Sequence, residues 1–166
     1  MKDLKQMFAE GCKIIEDTCG DVIEDITDIT INTRAQTRYG QCIHHSDGTH
    51  SINIAKRILD DNVPYNATMS VIVHEILHAC HGGRGHKTQW KKYASAVMRA
   101  HPELTVTRTT SCKLFGFEPR KRPERKYSVQ CERCGRTISR ARQVGIIKNP
   151  ENYTHRYCGG HFARIS

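Results

Sequence analysis

Two histidines four residues apart, with a glutamate directly after the first, stand at His74-Glu75-Ile76-Leu77-His78. On an α-helix such residues share one face, separated by about 6 Å along the axis. Two imidazoles at that spacing can grip one zinc ion, and a glutamate beside the first can reach water at the metal. The surrounding sequence is largely apolar, and buried polar groups need compensation. The chemistry this pattern supports is hydrolysis. Zinc brings the pKa of water toward ~7, and Glu75 acts as general base for attack on a carbonyl and then passes the proton to a leaving amine.

A catalytic zinc needs a third protein ligand and one open position. His81 shares the face of His74 but lies almost two turns away, so it is expected on the rim of the site. His86 follows Gly82-Gly83-Arg84-Gly85, a turn able to swing a side chain back toward the helix, and is the favoured third ligand. Glu103 is the more distant alternative. Tyr93, Arg84 and Tyr39 are unranked candidates for assisting at the oxyanion.

A second constellation lies near the end of the chain. Cys131-Glu132-Arg133-Cys134-Gly135 is a Cys-x-x-Cys knuckle, and Cys158-Gly159-Gly160-His161 repeats the spacing with histidine last. Cys131, Cys134, Cys158 and His161 would form a closed Cys3His shell, with no place for water and hence a structural role. The cofactor expectation is therefore Zn2+, one catalytic and one structural ion. A redox Cys-x-x-Cys is the rival reading, and the second knuckle disfavours it. Cys12, Cys19, Cys42, Cys80 and Cys112 are expected to be buried thiols.

The net charge of +9 is unevenly placed. Residues 1–107 carry 12 Lys and Arg against 13 Asp and Glu, whereas residues 108–166 carry 14 against 4. Such asymmetry points to a polyanionic partner for the C-terminal part. Arg120, Lys121, Arg122, Arg125, Lys126, Arg136, Arg140 and Arg142 are the candidate nucleic-acid contacts, with Arg133 and Lys148 nearby. Tyr127, Tyr153, Tyr157 and Phe162 are interleaved with them, a combination suited to single-stranded DNA unless these rings form the ribbon's own core. No stretch approaches the ~20 apolar residues of a membrane span, and Met1-Lys2-Asp3-Leu4 does not open a signal peptide. A cytoplasmic monomer, nucleoid-associated if bacterial, is expected, with DNA and DNA-bound proteins as partners and no membrane.

The elements that must hold these residues follow from periodicity. Residues 3–18 read as a helix, with Gly20 past its end. Strands are predicted around Ile29–Ile31, Tyr39–His45 and Ser51–Ala55, the last two joined at Asp47-Gly48, a hairpin signal. A short helix near Lys56–Leu59 precedes the central helix, Ala67–His81, whose stripe of Met69, Ile72, Val73, Ile76, Leu77 and Cys80 would pack on the sheet. Lys87–Ala100 reads as a further amphipathic helix, and residues 104–118 as extended. The expected fold class is α+β: a small zinc-metalloprotease core, its His-Glu-x-x-His helix packed on a short sheet, followed by a zinc-ribbon β subdomain. Expected boundaries are 1–108 for the core, 109–126 for a basic linker and 127–166 for the ribbon.

The order of motifs resembles the SprT-like family of zinc metalloproteases, the group that includes the Spartan proteases of DNA-protein crosslink repair. The resemblance runs through Asn32-Thr33-Arg34, Tyr39-Gly40-Gln41-Cys42, Ser51-Ile52-Asn53-Ile54, His74-Glu75-Ile76-Leu77-His78-Ala79, Gly85-His86-Lys87-Thr88-Gln89-Trp90 and His101-Pro102-Glu103-Leu104. It implies His74, His78 and His86 as zinc ligands, and a DNA-associated protease hydrolysing peptide bonds of DNA-bound or DNA-crosslinked proteins. Lys87 stands where the family usually has glycine, the loop between His78 and His86 is short, and His161 stands where many relatives have cysteine. The competing readings are a non-catalytic zinc-dependent nucleic-acid-binding protein and a zinc hydrolase with a non-protein amide substrate.

Overall fold

The computed structural model describes residues 1–119 and 123–165. The chain forms two compact units, Met1–Pro119 and Arg120–Ser166, and both are α+β with a small three-stranded sheet.

The first unit opens with helix α1, Leu4–Cys19. Asp3 caps it by accepting from the backbone N–H groups of Lys5 and Gln6 at 2.8 and 3.1 Å, which satisfies donors that the first turn leaves free. Leu4, Met7, Gly11 and Ile15 form its buried face. At Gly11 an added Cβ would lie 3.0 Å from Ile76 Cδ1, so the missing side chain lets α1 cross the central helix closely.

Strands β1 (Ile26–Asn32), β2 (Gly40–His44) and β3 (His50–Ala55) form the first sheet in the order β1-β3-β2. β3 is central and pairs parallel with β1 and antiparallel with β2. The Asp47-Gly48 turn forms the predicted hairpin: His45 N–H donates to the Thr49 carbonyl, and Asp47 Oδ1 accepts from Thr49 N–H, both at 2.9 Å. Ile52 and Ile54 of β3 are fully buried beneath the helices.

A 3-10 turn at Lys56–Leu59 leads to the central helix α2, Tyr65–His78. Its buried run includes Met69, Ile72, Val73, Ile76 and Leu77. α2 ends three residues before the predicted His81. The chain leaves the helix to pair with the segment before β1: His81 N–H donates to the Val22 carbonyl at 2.8 Å, Glu24 N–H to the Ala79 carbonyl at 2.9 Å, and Ile23 bridges Cys80. Helix α3, Thr88–Ala100, turns Trp90, Ala94 and Val97 inward.

Residues beyond α3 also belong to this core. Leu104 and Val106 are buried, and a 3-10 turn at Cys112–Phe115 buries Phe115 against Tyr39, with ring centroids 4.3 Å apart. Part of the stretch expected as a linker over 109–126 is thus packed structure, because Phe115 supplies apolar area to the first unit.

The second unit contains β4 (Tyr127–Cys131), β5 (Thr137–Arg140) and β6 (Phe162–Arg164), antiparallel in the order β5-β4-β6. A helical turn α4, Gly145–Lys148, was not anticipated from the sequence. Among the described residues its buried cluster is Val129, Cys131, Ile147 and Phe162. A core this small rarely folds without a cross-link or metal. No described helix is long and apolar enough to cross a membrane.

Candidate metal centres and active site

His74 and His78 lie one turn apart near the end of α2, and the loop after α2 returns His86 to them. The Nε2 atoms of His78 and His86 lie 3.3 and 3.1 Å from that of His74. Ligands 2.0–2.1 Å from a tetrahedral zinc are about 3.3 Å from one another, so the three imidazoles fit that ion. Burial, reinforced by the neighbouring imidazoles, holds His74 down to about 4 against an opposing contribution from the Thr107 backbone. Burial likewise lowers His78 and His86. Neutral imidazole is the ligand form.

Two structural details set this convergence. His78 Nδ1 lies 3.1 Å from the Gly83 carbonyl, which fixes the ring with Nε2 facing its partners. Gly83 must be glycine, since a Cβ there would sit 2.0 Å from the Leu77 carbonyl oxygen. Trp90 underlies all three imidazoles, with centroids 4.9, 5.6 and 4.7 Å from His74, His78 and His86.

Glu75 follows His74 on α2 and is 7% exposed. Burial pushes its carboxyl up to about 7, while a backbone hydrogen bond from Cys42 and the charge of Arg38 pull the other way. It shares a cleft of about 330 Å3 with His74, Arg38, Tyr39, Gly40 and Arg108. Sequence reasoning passed over Arg38 and Arg108, since neither lies in a motif. Of the oxyanion candidates, Tyr39 lines this cleft, whereas Tyr93 donates from its hydroxyl to the His81 carbonyl at 3.2 Å. Arg84 lines a different cavity. His81 is exposed and faces Glu24 at 3.5 Å, and Glu103 faces His101 at 3.4 Å.

In the second unit Cys131, Cys134, His155 and Cys158 bring their ligand atoms together. Cys131 and Cys158 sulfurs are 3.4 Å apart, and His155 Nδ1 is 3.2 Å from Cys134 Sγ and 3.0 Å from Cys158 Sγ. These donors also suit zinc. The expected ligand His161 is outside the group. It is exposed, its carbonyl accepts from Glu132 N–H at 3.0 Å, and it bridges Thr154. The physical reason is the position of glycine. Gly135 follows Cys134 and Gly159 follows Cys158, both with positive φ, so each knuckle reads ligand-x-x-Cys-Gly. The second knuckle is therefore His155-Arg156-Tyr157-Cys158-Gly159, a signal present in the sequence. Gly160 packs against Cys131 Sγ, where a Cβ would come within 2.8 Å.

Of the candidate nucleic-acid contacts, Arg125, Lys126, Arg136, Arg140 and Arg142 are exposed, and Arg120, Lys121 and Arg122 lie outside the described residues. Phe162 is buried and Tyr127 packs against the cluster it belongs to, whereas Tyr157 is 79% exposed with Arg136 5.9 Å above its ring. Of the other thiols, all expected to be buried, Cys80 is, whereas Cys12, Cys19, Cys42 and Cys112 are half-buried; burial pushes Cys12 up to about 11, and Cys42 and Cys80 up to about 12.

The sequence profile of the SprT-like family matches residues 5–110. The chain belongs to the SprT-like family. The matched span holds His74, Glu75, His78 and His86 and ends before the second unit, so for the SprT-like family this match speaks to the first unit alone. No curated protein matches the chain.

Proposed function

We propose that the chain is a zinc-dependent metalloprotease acting on proteins associated with DNA. The observation that carries this reading is the buried Glu75 carboxylate sharing an open cleft with His74, one of three converging imidazoles. Family membership is consistent with it.

Zinc held by His74, His78 and His86 would supply Lewis acidity to water and to a carbonyl oxygen. The chain's own residues account for the rest. Glu75 accepts a proton from water at its carboxylate and returns it to the departing amine, a role suited to a carboxyl raised toward neutrality. Gly40 leaves room for that carboxylate against β2. β2 is an edge strand, so its free side can order an extended peptide by main-chain hydrogen bonds. The Arg38 and Arg108 guanidinium groups line the cleft and suit negative charge developing on a carbonyl oxygen.

In the second unit, zinc on Cys131, Cys134, His155 and Cys158 would be structural. Exposed Arg125, Lys126, Arg136, Arg140 and Arg142 would meet phosphates, and Tyr157 would offer a stacking face to an unpaired base. Such a protein would work in the cytoplasm, at the nucleoid if bacterial.

The deciding experiment compares zinc-loaded wild type with Glu75→Gln on a DNA-binding protein, with and without single-stranded DNA. Cleavage by wild type alone, raised by DNA, is expected. Full activity in Glu75→Gln removes the assigned base. No cleavage in any lane, with zinc bound, favours a non-catalytic nucleic-acid-binding protein.

A further inference from the structure

β2 runs from one cavity to another. At its start Gly40 lines the cleft that holds His74 and Glu75. At its end His44 lines a second cavity, of about 270 Å3, together with Glu24, His45, His50, His78 and Arg84. His78 belongs to the imidazole trio, so the second cavity begins at the metal centre. A peptide laid along the free edge of β2 passes the trio and delivers a side chain there.

We infer that this second cavity is a specificity subsite for a carboxylate side chain, Asp or Glu, close to the bond cleaved. The inference rests on the peptidase reading above. Arg84 contributes a permanent charge whose planar fork matches a carboxylate. His44 lines the same cavity beside that charge, and an imidazole N–H can donate to a carboxylate oxygen. Glu24 is the one acid lining the cavity. Its Oε2 lies 3.6 Å from His50 Nε2 and its Oε1 3.5 Å from His81 Nδ1, so its charge is directed at those two rings. A basic side chain would oppose Arg84, and an apolar one would leave its charge unanswered. The walls come from the β2–β3 hairpin and from the Gly-rich loop after α2, so the site is built from segments that also frame the metal centre.

The test uses the full-length, zinc-loaded protein and peptides identical except at one position, varied through Asp, Asn, Ala and Lys on either side of the bond cut. At one position kcat/KM for Asp should exceed that for Lys by about tenfold or more, with Asn between them. Arg84→Glu should invert that ratio in favour of Lys, a gain that misfolding cannot imitate. The same labelled peptides, titrated into zinc-loaded Glu75→Gln by fluorescence anisotropy, should show the same order and the same inversion without turnover. Equal ratios in wild type and Arg84→Glu overturn the subsite while leaving the peptidase reading intact. Charge-selective binding with no cleavage of any peptide overturns the peptidase reading while leaving a carboxylate site in place.

Discussion

A Cβ on Gly40 would fall 2.6 Å from Cγ and 2.7 Å from Oε1 of Glu75. The side chain that would do the proton chemistry therefore occupies space that β2 leaves open only because residue 40 has none. Gly40→Ala should push Glu75 aside without touching an imidazole. Cleavage should fall on the order of 100-fold, with a stability cost of roughly 1–3 kcal/mol. Zinc content by mass spectrometry should be unchanged. Activity near wild type would show that Glu75 has freedom to move.

Trp90 is the only tryptophan in the chain, and its ring contacts His74, His78 and His86. Its fluorescence should therefore report occupancy of that centre alone. Titration of metal-free protein with Co2+, a paramagnetic substitute for zinc, should quench the emission in one tight phase. His86→Ala should weaken or remove the phase, whereas Cys134→Ser should leave it. Loss of quenching in Cys134→Ser would mean that the signal does not belong to the trio.

His155 and His161 both lie three residues from Cys158, on opposite sides. His155→Ala should lose one zinc per chain and unfold the second unit, whose described residues form a buried cluster of four. His161→Ala should keep the zinc, and its amide spectrum should match wild type. The reverse result would restore the Cys-x-x-His reading. Binding at both centres should weaken as pH falls, because protons compete for imidazole and thiolate.

Phe115 is 2% exposed and packs at a tilt against Tyr39, which lines the cleft. Truncation to alanine should cost about 3–5 kcal/mol, read from urea denaturation of the full chain. A loss under about 1 kcal/mol would place this segment with flexible connections, whose surface substitutions cost little.

The site was more legible than the frame around it, for physical reasons. Helical periodicity is rigid, so His74, Glu75 and His78 could be placed together from spacing alone, and the Gly-rich turn made His86 the natural return. Arg38 and Arg108 reach the cleft from loops, where no period relates sequence to position. The His155 ligand was hidden by a symmetric spacing that only the left-handed glycines resolve. Phe115 sits in a short apolar run, Leu114-Phe115-Gly116-Phe117, but a charged, Pro-containing stretch follows at once, so the segment reads as the approach to a linker and not as part of a core. The early end of α2 arises from pairing with residues 22–24, a contact across more than fifty residues that periodicity cannot encode.

The mixed sheet also implies an order of assembly. β2 and β3 are joined by residues 45–49, so their pairing closes a short loop. β1 must find β3 in parallel across an intervening strand, Ile29 facing Ile52, and that longer closure carries the larger entropic cost. The hairpin is then the template and β1 the late arrival. In pulse-labelled refolding, amides shared by β2 and β3 should become protected before those of β1. The edge that fronts Glu75 would thus be among the first parts of the sheet to exist, leaving the remainder to condense on a strand pair already shaped for its work.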